Sequence, residues 1–522
     1  MHMKLLLVWP NKDSFGFKPI GISLLAGIAR QLGWETKLFD TTGIDFGYTD
    51  NTQFGQSVKM FKPVDPSSYN LKKEKLDLKE EFKKAFSEFR PDCVAIGVLS
   101  DEFRIAAQIS AAAKEAMPDI PIIWGNKYPT LNPEKTLLSH NADFVCIGEG
   151  LRAFPEFLKA MAGGGDLYSI PNIWGNKKGS IVKNAPGPLV KDIDAMPYVD
   201  WEIFDKRQFY KPFDGRIYVG GDHMLNWGCP YHCTYCINHF YHGLYSNKYV
   251  MRRYSVKRIL PELKHLVKRY GLQFFKFHDE DFLMRPVDNL RELGEAYRDE
   301  IGLPFTIETN PKSVTEEKVR ILKEMNCASA SIAIETGDLH LRRDVLKRVD
   351  TEEDVIRAFS LFRDAGIRTV SFNMLGIPFE TRKTYYATVE LNRNAGVQYP
   401  QVGLFFPFEG TELREIAIRE NLFDPDEGSL YDRDNPPMKF PNLSKRELME
   451  MRNVFPLYVK LPKSFWPFIE RSEIQDDAGR MLRKEILDVY DKTVWSNNGW
   501  YDGGASEEMY LGQLAGILSK GS

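Results

Sequence analysis

The sequence predicts an α/β protein built from an N-terminal doubly wound, Rossmann-like domain, a partial (β/α)6 barrel and a mainly helical C-terminal region. Short apolar strands alternate with helical stretches over residues 1–162, and six further strand–helix repeats follow over residues 206–420. Such alternation is typical of parallel sheets. The predicted parts are a Rossmann-like domain at 1–162, a connector with a small hairpin at 163–205, a barrel at 206–420 and a helical region at 421–522.

The N-terminal domain is predicted from five short apolar segments and four amphipathic ones. The strands are Lys4–Trp9, Thr36–Asp40, Cys93–Leu99, Pro121–Gly125 and Phe144–Ile147. The helices are Ile20–Leu32, Leu71–Phe89, Arg104–Met117 and Ala153–Ala162. In a doubly wound sheet, ligands bind beyond the carboxyl ends of the strands. The long polar loop Asp40–Ser68 is either functional or an insertion.

The barrel strands are predicted near Tyr218–Asn226, Phe274–Asp279, Phe305–Thr309, Ser329–Glu335, Thr369–Gly376 and Gln401–Pro407. A barrel of this kind keeps its chemistry at the carboxyl ends of its strands. Beyond the barrel, helices are expected near Lys445–Tyr458 and Asp476–Tyr490, followed by a loose end from Ser496. The aromatic-rich segment 454–469 is expected to pack against the barrel or a substrate cavity, with an interfacial membrane contact as the alternative.

Composition restricts the class of protein. The chain has 522 residues, a formal net charge of −3 and no apolar run long enough to span a membrane. Nothing in this charge balance predicts nucleic-acid binding. Only six cysteines occur, which is typical of a reduced compartment, and we expect a cytoplasmic protein.

Half of the cysteines fall within eight residues. Cys229, Cys233 and Cys236 have the spacing C-x3-C-x2-C. A [4Fe–4S] cluster normally takes four cysteine ligands, so three leave one iron open to another molecule. The alternatives are a structural zinc site completed by His239 or His242 and a disulfide framework, which the sparse cysteine content disfavours.

This spacing, with Tyr235 just before the last cysteine, resembles the radical S-adenosylmethionine (SAM) superfamily. Residues 1–160 resemble the cobalamin-binding domain fused to some of its members, through the stretches Pro19–Ala26, Ile96–Ser100, Trp124–Thr130 and Gly148–Gly150. The resemblance therefore implies three cofactors: a [4Fe–4S] cluster, SAM and cobalamin. The cobalt-ligating histidine motif of other cobalamin proteins is absent, which implies base-off binding.

The resemblance also implies which residues hold these cofactors. Cys229, Cys233 and Cys236 would ligate the cluster and carry the catalysis. The predicted SAM contacts are Tyr235, Asp279, Glu335 and Asn373. The predicted cobalamin contacts are Pro19, Gly21, Ser100, Gly125, Asn126, Tyr128, Thr130, Gly148, Glu149 and Gly150.

The activity that the resemblance implies is methylation of an unactivated carbon through a 5′-deoxyadenosyl radical and methylcobalamin. The alternatives are cyclisation, rearrangement or oxygen insertion with the same cofactors, a radical SAM enzyme whose N-terminal domain binds no cobalamin, and a zinc-stabilised binding protein without catalysis. An electron donor such as flavodoxin or ferredoxin is expected. The substrate, whether small molecule, lipid or peptide or protein side chain, is not indicated by the sequence.

Overall fold

The computed structural model describes residues 3–245, 251–425 and 435–520. These residues form two compact units. The first comprises Met1–Asn51, Val64–Glu280 and Phe408–Thr411, and the second comprises Thr52–Pro63, Asp281–Pro407 and Glu412–Ser522.

The first unit contains the Rossmann-like sheet. Its strands are β1 (Lys4–Trp9), β2 (Glu35–Asp40), β3 (Cys93–Gly97), β4 (Ile122–Gly125), β5 (Phe144–Cys146), β6 (Ile173–Lys177) and β7 (Ser180–Val182). They lie in the order β2-β1-β3-β4-β5-β6-β7. The first five are parallel, whereas β6 and β7 are antiparallel. The hairpin predicted in the connector is therefore an extension of this sheet.

The helices of this part are α1 (Ile20–Gln31), α3 (Leu78–Phe89), α4 (Phe103–Ala116), α5 (Lys127–Leu131), α6 (Pro133–Ser139) and α7 (Gly150–Gly163), whereas α2 (Asn51–Ser57) belongs from Thr52 on to the second unit. The predicted start of α3 at Leu71 is wrong, because the side chain of Asp77 accepts the Glu80 amide as an N-cap. The loop predicted over 40–68 contains α2. Four apolar side chains of α3 are buried in one cluster with side chains of β1, β2 and β3.

The first unit continues with β8 (Tyr210–Phe213), β9 (Arg216–His223), β10 (Asn226–Trp227), α8 (Ile237–Leu244), β11 (Arg252–Arg253), α9 (Val256–Tyr270) and β12 (Phe274–Phe277). Strand β9 pairs with β12 in parallel and with β8 in the antiparallel sense. The short strands β10 and β11 pair antiparallel, with Trp227 opposite Arg252. The chain between β10 and α8 carries the three clustered cysteines.

In the second unit, four parallel strands lie in the order β16-β15-β14-β13. They are β13 (Phe305–Thr309), β14 (Cys327–Glu335), β15 (Arg368–Leu375) and β16 (Tyr399–Leu404), with helices α10 (Val287–Glu300), α11 (Glu316–Glu324), α12 (Glu352–Asp364), α13 (Arg382–Asn394) and α14 (Glu412–Arg419). With β9 and β12 these are the six predicted barrel strands. The predicted fold class is confirmed.

The C-terminal region is helical: α15 (Lys445–Lys460), α16 (Trp466–Ser472), α17 (Asp477–Thr493) and α18 (Glu507–Lys520). The aromatic-rich segment packs against the barrel as predicted, since most of its apolar side chains are buried in one cluster with side chains of β15, β16, α13 and α17. The loose end predicted from Ser496 is wrong, because α18 follows it and buries Leu514. Within the described ranges, the helices are too short or too polar to cross a membrane.

Candidate functional site

The cysteine loop begins directly after β10 and ends at α8. Gly228 has a φ of 90°, a backbone conformation that favours glycine, and it turns the chain into Cys229. Cys236 is the N-cap residue of α8. The amide of Cys236 donates to the carbonyl oxygen of Cys233 at 3.1 Å, so the last two cysteines share one tight turn. The sequence thus places all three thiols in a single short loop after the first barrel strand.

The oxidation state and exposure of these three thiols are compatible with their binding a metal cluster. None of the three is in a disulfide, and Cys233 and Cys236 are partly exposed. Burial raises the pKa of the Cys229 thiol above its ordinary value and that of Cys236 to about 12. Without a bound cation both are therefore thiols, and a metal centre must displace their protons. In the described ranges, no three His, Cys, Asp or Glu side chains are already gathered around one point as a metal site, so the assignment of the ligands stays a prediction.

His242 supports this loop from α8. Its Nε2 lies 2.9 Å from the carbonyl oxygen of Cys229, and its ring stacks on that of His232 with centroids 4.0 Å apart. Burial, together with the neighbouring His232, lowers the pKa of His242. This hydrogen bond to the loop backbone weakens the reading of His242 as a fourth zinc ligand.

Two acidic residues after β12 differ in what they contact. Asp279 is fully buried, and its Oδ2 accepts the amide of Leu225 at 3.1 Å, just before β10. Glu280 is exposed, accepts from the Asn238 side chain on α8 at 3.0 Å, and its charge raises the pKa of Cys236. Asp279 stays a predicted SAM contact. In the structure, its hydrogen bond to Leu225 supports the chain that leads into the cysteine loop. Glu280 was not predicted as a site residue, although it directly follows Asp279.

The predicted cobalamin contacts lie at the carboxyl ends of β1, β3, β4 and β5. Because these strands are parallel, their loops share one edge of the sheet, where ligands of such sheets bind. Pro19 is the N-cap residue of α1, and a Cβ on Gly21 would meet no atom within 4 Å. Ser100 follows β3, and Gly125 ends β4. The start of α1 is therefore open at Gly21, while the individual contacts stay predictions.

The segment after β4, Asn126–Thr130, is fixed by internal contacts. Asn126 has a φ of 81°, and its carbonyl oxygen accepts the Thr130 hydroxyl at 2.8 Å. The buried ring of Tyr128 stacks on Phe103 at 4.9 Å, and its hydroxyl lies 3.2 Å from His140. In the described contacts, the Tyr128 side chain therefore packs in the core of the domain.

The Gly148–Gly150 turn is held by Tyr245, which follows α8, and by Arg252 of β11. Glu149 forms an ion pair with Arg252, Oε2 to Nη1 at 2.9 Å, and its amide donates to the Tyr245 hydroxyl at 2.9 Å. A Cβ on Gly148 would lie 2.3 Å from that hydroxyl. Glycine at 148 is required by this close approach. Tyr245 and Arg252 were not predictable as partners of the turn, because each lies about a hundred residues from it in the chain.

A second junction missed by the sequence analysis surrounds Asp222 on β9. Its carboxylate lies 3.2 Å from the ammonium group of Lys18, 2.7 Å from that of Lys211 and 2.8 Å from Nε2 of His278. Lys18 and Asp222 are both fully buried. Lys18 also donates to the carbonyl oxygen of Gly220 at 3.0 Å. These contacts fix the loop after β1 to the first barrel strand.

In the second unit, Glu335 ends β14 in a strained conformation. Its φ is 64°, at an irregularity of the pairing with β15, and its side chain is largely buried. Arg348 approaches its Oε1 at 4.0 Å but pairs more closely with Asp350, at 2.7 Å. Gly337 packs against α13, where a Cβ would lie 2.2 Å from the Ala387 carbonyl oxygen. A strained, charged residue at the end of a barrel strand favours a functional role.

Asn373 belongs to a buried amide network on β15. Its Nδ2 donates to the Gln401 carbonyl oxygen at 2.8 Å and to Ser371 at 2.9 Å. Its Oδ1 accepts from Asn392 at 2.7 Å. These bonds join β15 to β16 and α13, and contact of Asn373 with SAM stays a prediction. Tyr235 is partly exposed in the cysteine loop, and its role stays a prediction as well.

Removing the carboxylate of Glu335 is expected to weaken SAM binding. Loss of a charged acceptor costs roughly 1.5–3 kcal/mol, so Glu335→Ala should raise the Kd for SAM about ten- to a hundredfold, and Glu335→Gln less. Equilibrium binding of SAM to reconstituted protein measures this. Glu335→Gly is the matched control for backbone strain, since glycine tolerates positive φ. This variant should keep its iron and have a thermal midpoint no lower than that of the wild type, yet bind SAM as weakly as Glu335→Ala. Unchanged affinity in all three variants would place Glu335 in the scaffold.

The buried Glu380, just beyond β15, predicts a pH dependence of stability. Burial raises its pKa to about 7, although its Oε1 accepts the Thr384 hydroxyl at 2.7 Å. Because the folded protein binds this proton more tightly than the unfolded chain does, the stabilisation is present at low pH and is lost as pH rises through 7. Between pH 5.5 and 8 the loss amounts to roughly 2 kcal/mol. Thermal unfolding measured across this pH range should show the loss of stability in the wild type and not in Glu380→Gln. The same dependence of stability on pH in both proteins would contradict this prediction.

Comparison with known proteins agrees with this arrangement. Residues 227–391 match the family model of the radical SAM superfamily, and residues 14–158 match that of the B12-binding domain. The first match begins two residues before Cys229, and the second covers the loops at the edge of the first sheet. The two matches define an enzyme with a cobalamin domain and a radical SAM barrel in one chain. The chain belongs to the cobalamin-dependent radical SAM enzymes, and its cofactors are a [4Fe–4S] cluster, SAM and cobalamin.

Individual relatives are distant and extend over most of the chain. An uncharacterized methyltransferase of Pyrococcus horikoshii is 24% identical, covering 86% of this chain and 90% of its own. An anaerobic magnesium-protoporphyrin IX monomethyl ester cyclase of Rubrivivax gelatinosus is 21% identical, covering 90% and 80%. The methyltransferase TsrM of Kitasatospora setae, solved with cobalamin and a [4Fe–4S] cluster, has a TM-score of 0.61 at 18% identity, covering 80% and 75%. At this identity the solved structure shows the fold.

Proposed function

We propose that the protein is a SAM-dependent methyltransferase that methylates an unactivated carbon. The observation that carries this proposal is the similarity, over 86% of this chain, to a protein named as an uncharacterized methyltransferase. The solved relative TsrM is also described as a methyltransferase. The radical SAM and B12-binding domains supply the cofactors that such a reaction needs.

When bound, the cluster and cobalamin would supply the chemistry, namely reductive cleavage of SAM and transfer of a methyl group. The protein's own residues position and shield them. Cys229, Cys233 and Cys236 would hold the cluster as thiolates, leaving one iron for SAM. His242 supports their loop through the Cys229 carbonyl. Glu335 is the carboxylate that would accept a hydrogen bond from a donor of SAM.

The test follows the methyl group of SAM. Anaerobically reconstituted protein is incubated with SAM carrying a deuterated methyl group, a low-potential reductant and a small-molecule extract, and products are sought by mass spectrometry. The proposal expects a compound that gains the deuterated methyl, together with 5′-deoxyadenosine. The matched control is Cys236→Ala, which should give neither. SAM cleavage that transfers no label to any acceptor would reject methyl transfer while retaining the radical enzyme.

The second candidate is a reaction with the same cofactors and without methyl transfer, such as cyclisation. The similarity to the magnesium-protoporphyrin ester cyclase favours it, because that similarity covers 90% of this chain. In this case SAM would be consumed, 5′-deoxyadenosine would form, and the product would carry no label.

We further propose that the physiological reductant is a flavodoxin or ferredoxin. The test is to replace the chemical reductant by such a protein in the same assay.

A further inference from the structure

The loop after β1 presents one partly exposed aromatic side chain, Phe17. This loop forms part of the edge at which the B12-binding domain holds its ligand. Phe17 is 36% exposed, whereas its neighbour Phe15 is buried. An exposed phenylalanine alone indicates nothing. What distinguishes Phe17 is how firmly its backbone is held and what lies on each side of its ring.

The backbone on both sides of Phe17 is fixed by buried side chains from β8, β9 and the turn before them. The amides of Gly16 and Phe17 donate to Oε1 of Gln208 at 3.1 and 3.4 Å. The carbonyl oxygen of Gly16 accepts from the ammonium group of Lys211 at 2.5 Å. The amide of Lys18 donates to Asp222 at 3.2 Å. Three consecutive residues are thus anchored by side chains about 190 to 200 residues away in the chain.

Gly16 shows that this anchoring is specific. Its φ is 104°, and a Cβ there would lie 2.6 Å from the carbonyl oxygen of Tyr210. Any other residue would push the loop away from β8. The fully buried Gln208 is held in turn by Asp40 at 2.8 Å and Thr42 at 2.9 Å, after β2. The loop therefore cannot move without disturbing a buried polar network.

The ring of Phe17 lies between the ends of two parallel sheets. Its centroid is 5.9 Å from that of Trp9, the last residue of β1, and 5.2 Å from that of His278, the first residue after β12, with both contacts edge-on. Parallel strands of both fold types present their ligands at these carboxyl ends. The exposed part of Phe17 lies where the cofactor edge of the first sheet adjoins the mouth of β9 and β12, all within the first unit.

We propose that Phe17 packs against bound cobalamin and that the Lys18–Asp222 junction sets its position. The inference rests on the proposed cofactor chemistry and names a contact beyond those predicted from the sequence. The corrin is a large macrocycle with extensive apolar surface, which an aromatic ring can contact without offering a polar group. Such a contact contributes affinity in proportion to the apolar area that it covers. SAM or the substrate are the alternative occupants.

The test is equilibrium binding of hydroxocobalamin to reconstituted protein, followed by absorbance. Phe17→Ala is expected to raise the Kd about tenfold or more and to shift the visible spectrum of the bound cofactor, and Phe17→Leu is expected to restore part of both. Iron content, the thermal midpoint and the Kd for SAM should stay as in the wild type. The matched control is Tyr198→Ala, which removes a similarly exposed aromatic (40%) of the same unit and should bind hydroxocobalamin within twofold of the wild type.

Wild-type affinity and spectrum in Phe17→Ala would overturn the assignment. Weaker binding of SAM with unchanged binding of hydroxocobalamin would also overturn it and give Phe17 to the SAM site. A wild-type protein that binds no hydroxocobalamin would instead contradict the cofactor chemistry itself. The two failures are therefore distinguishable in the same titration.

Discussion

Replacing any one of Cys229, Cys233 or Cys236 by alanine is expected to abolish the iron–sulfur cluster and all cleavage of SAM. A cubane with three protein thiolates has no spare ligand to compensate for a loss. No other cysteine belongs to this loop, and Cys93, Cys146 and Cys327 all lie on strands. The expected loss is complete rather than graded. Iron and sulfide analysis, with quantification of 5′-deoxyadenosine, measures it on the purified variants.

Cys93→Ala and Cys327→Ala are the matched controls for the loss of a thiol. Both side chains are buried on strands, and burial raises the pKa of both thiols, that of Cys327 to about 12. They are inert thiols and should be replaceable without loss of iron. A Cys236→Ala protein with the wild-type iron content and SAM cleavage would show that the ligands are wrongly assigned.

Replacing Asp222 by alanine is expected to destabilise the first unit by about 3–5 kcal/mol, because the substitution leaves two buried ammonium groups without a counter-ion. Lys18 is fully buried and Lys211 nearly so. Burial alone would raise the pKa of Asp222, but the two lysines hold it well below its ordinary value. Asp222→Asn keeps the shape and loses the charge, so it should be destabilised less severely than alanine. Denaturant unfolding followed by circular dichroism measures both.

Asp344→Asn is the control for loss of a carboxylate. Asp344 also pairs with a cation, Arg343 at 2.9 Å, but both side chains are exposed. Exposed pairs contribute little to stability, and no measurable change is expected.

Because the pKa of Asp222 is depressed in the folded protein, the contribution of Asp222 to stability should be present at neutral pH and be lost only in acid. An Asp222→Ala protein as stable as the wild type would show that the buried network contributes nothing.

The parts that followed from the sequence are those with a local signal. Strands such as Lys4–Trp9 were predictable from apolar runs, and the cysteine loop from its spacing. The amphipathic pattern and the mixed charges of 71–89 did not reveal that the helix begins at Leu78, since the N-cap at Asp77 competes with other polar residues nearby. The helix Glu507–Lys520 was missed because the polar, glycine-containing stretch before it reads as a loose end.

The supports of the site were not predictable, because they join residues far apart in the chain. Nothing local to Lys18 indicates that it is buried against Asp222, 204 residues away. Glu149 and Arg252 are likewise 103 residues apart. The left-handed backbone of Glu335 was also invisible, since such conformations are uncommon for glutamate and are imposed by the surrounding sheet. Motifs therefore indicated which cofactors bind, whereas the residues that hold the loops in place emerged only from the fold.

The central claim is that one chain holds both a SAM-cleaving cluster and cobalamin. The most direct measurement is made on a single sample, reconstituted anaerobically with iron and sulfide, loaded with hydroxocobalamin and freed of unbound cofactors. Metal analysis should find about four irons and about one cobalt per chain, with a base-off cobalamin spectrum, and reduction in the presence of SAM should yield 5′-deoxyadenosine. A sample with full iron content that retains no cobalt, or that leaves SAM intact, would contradict the claim.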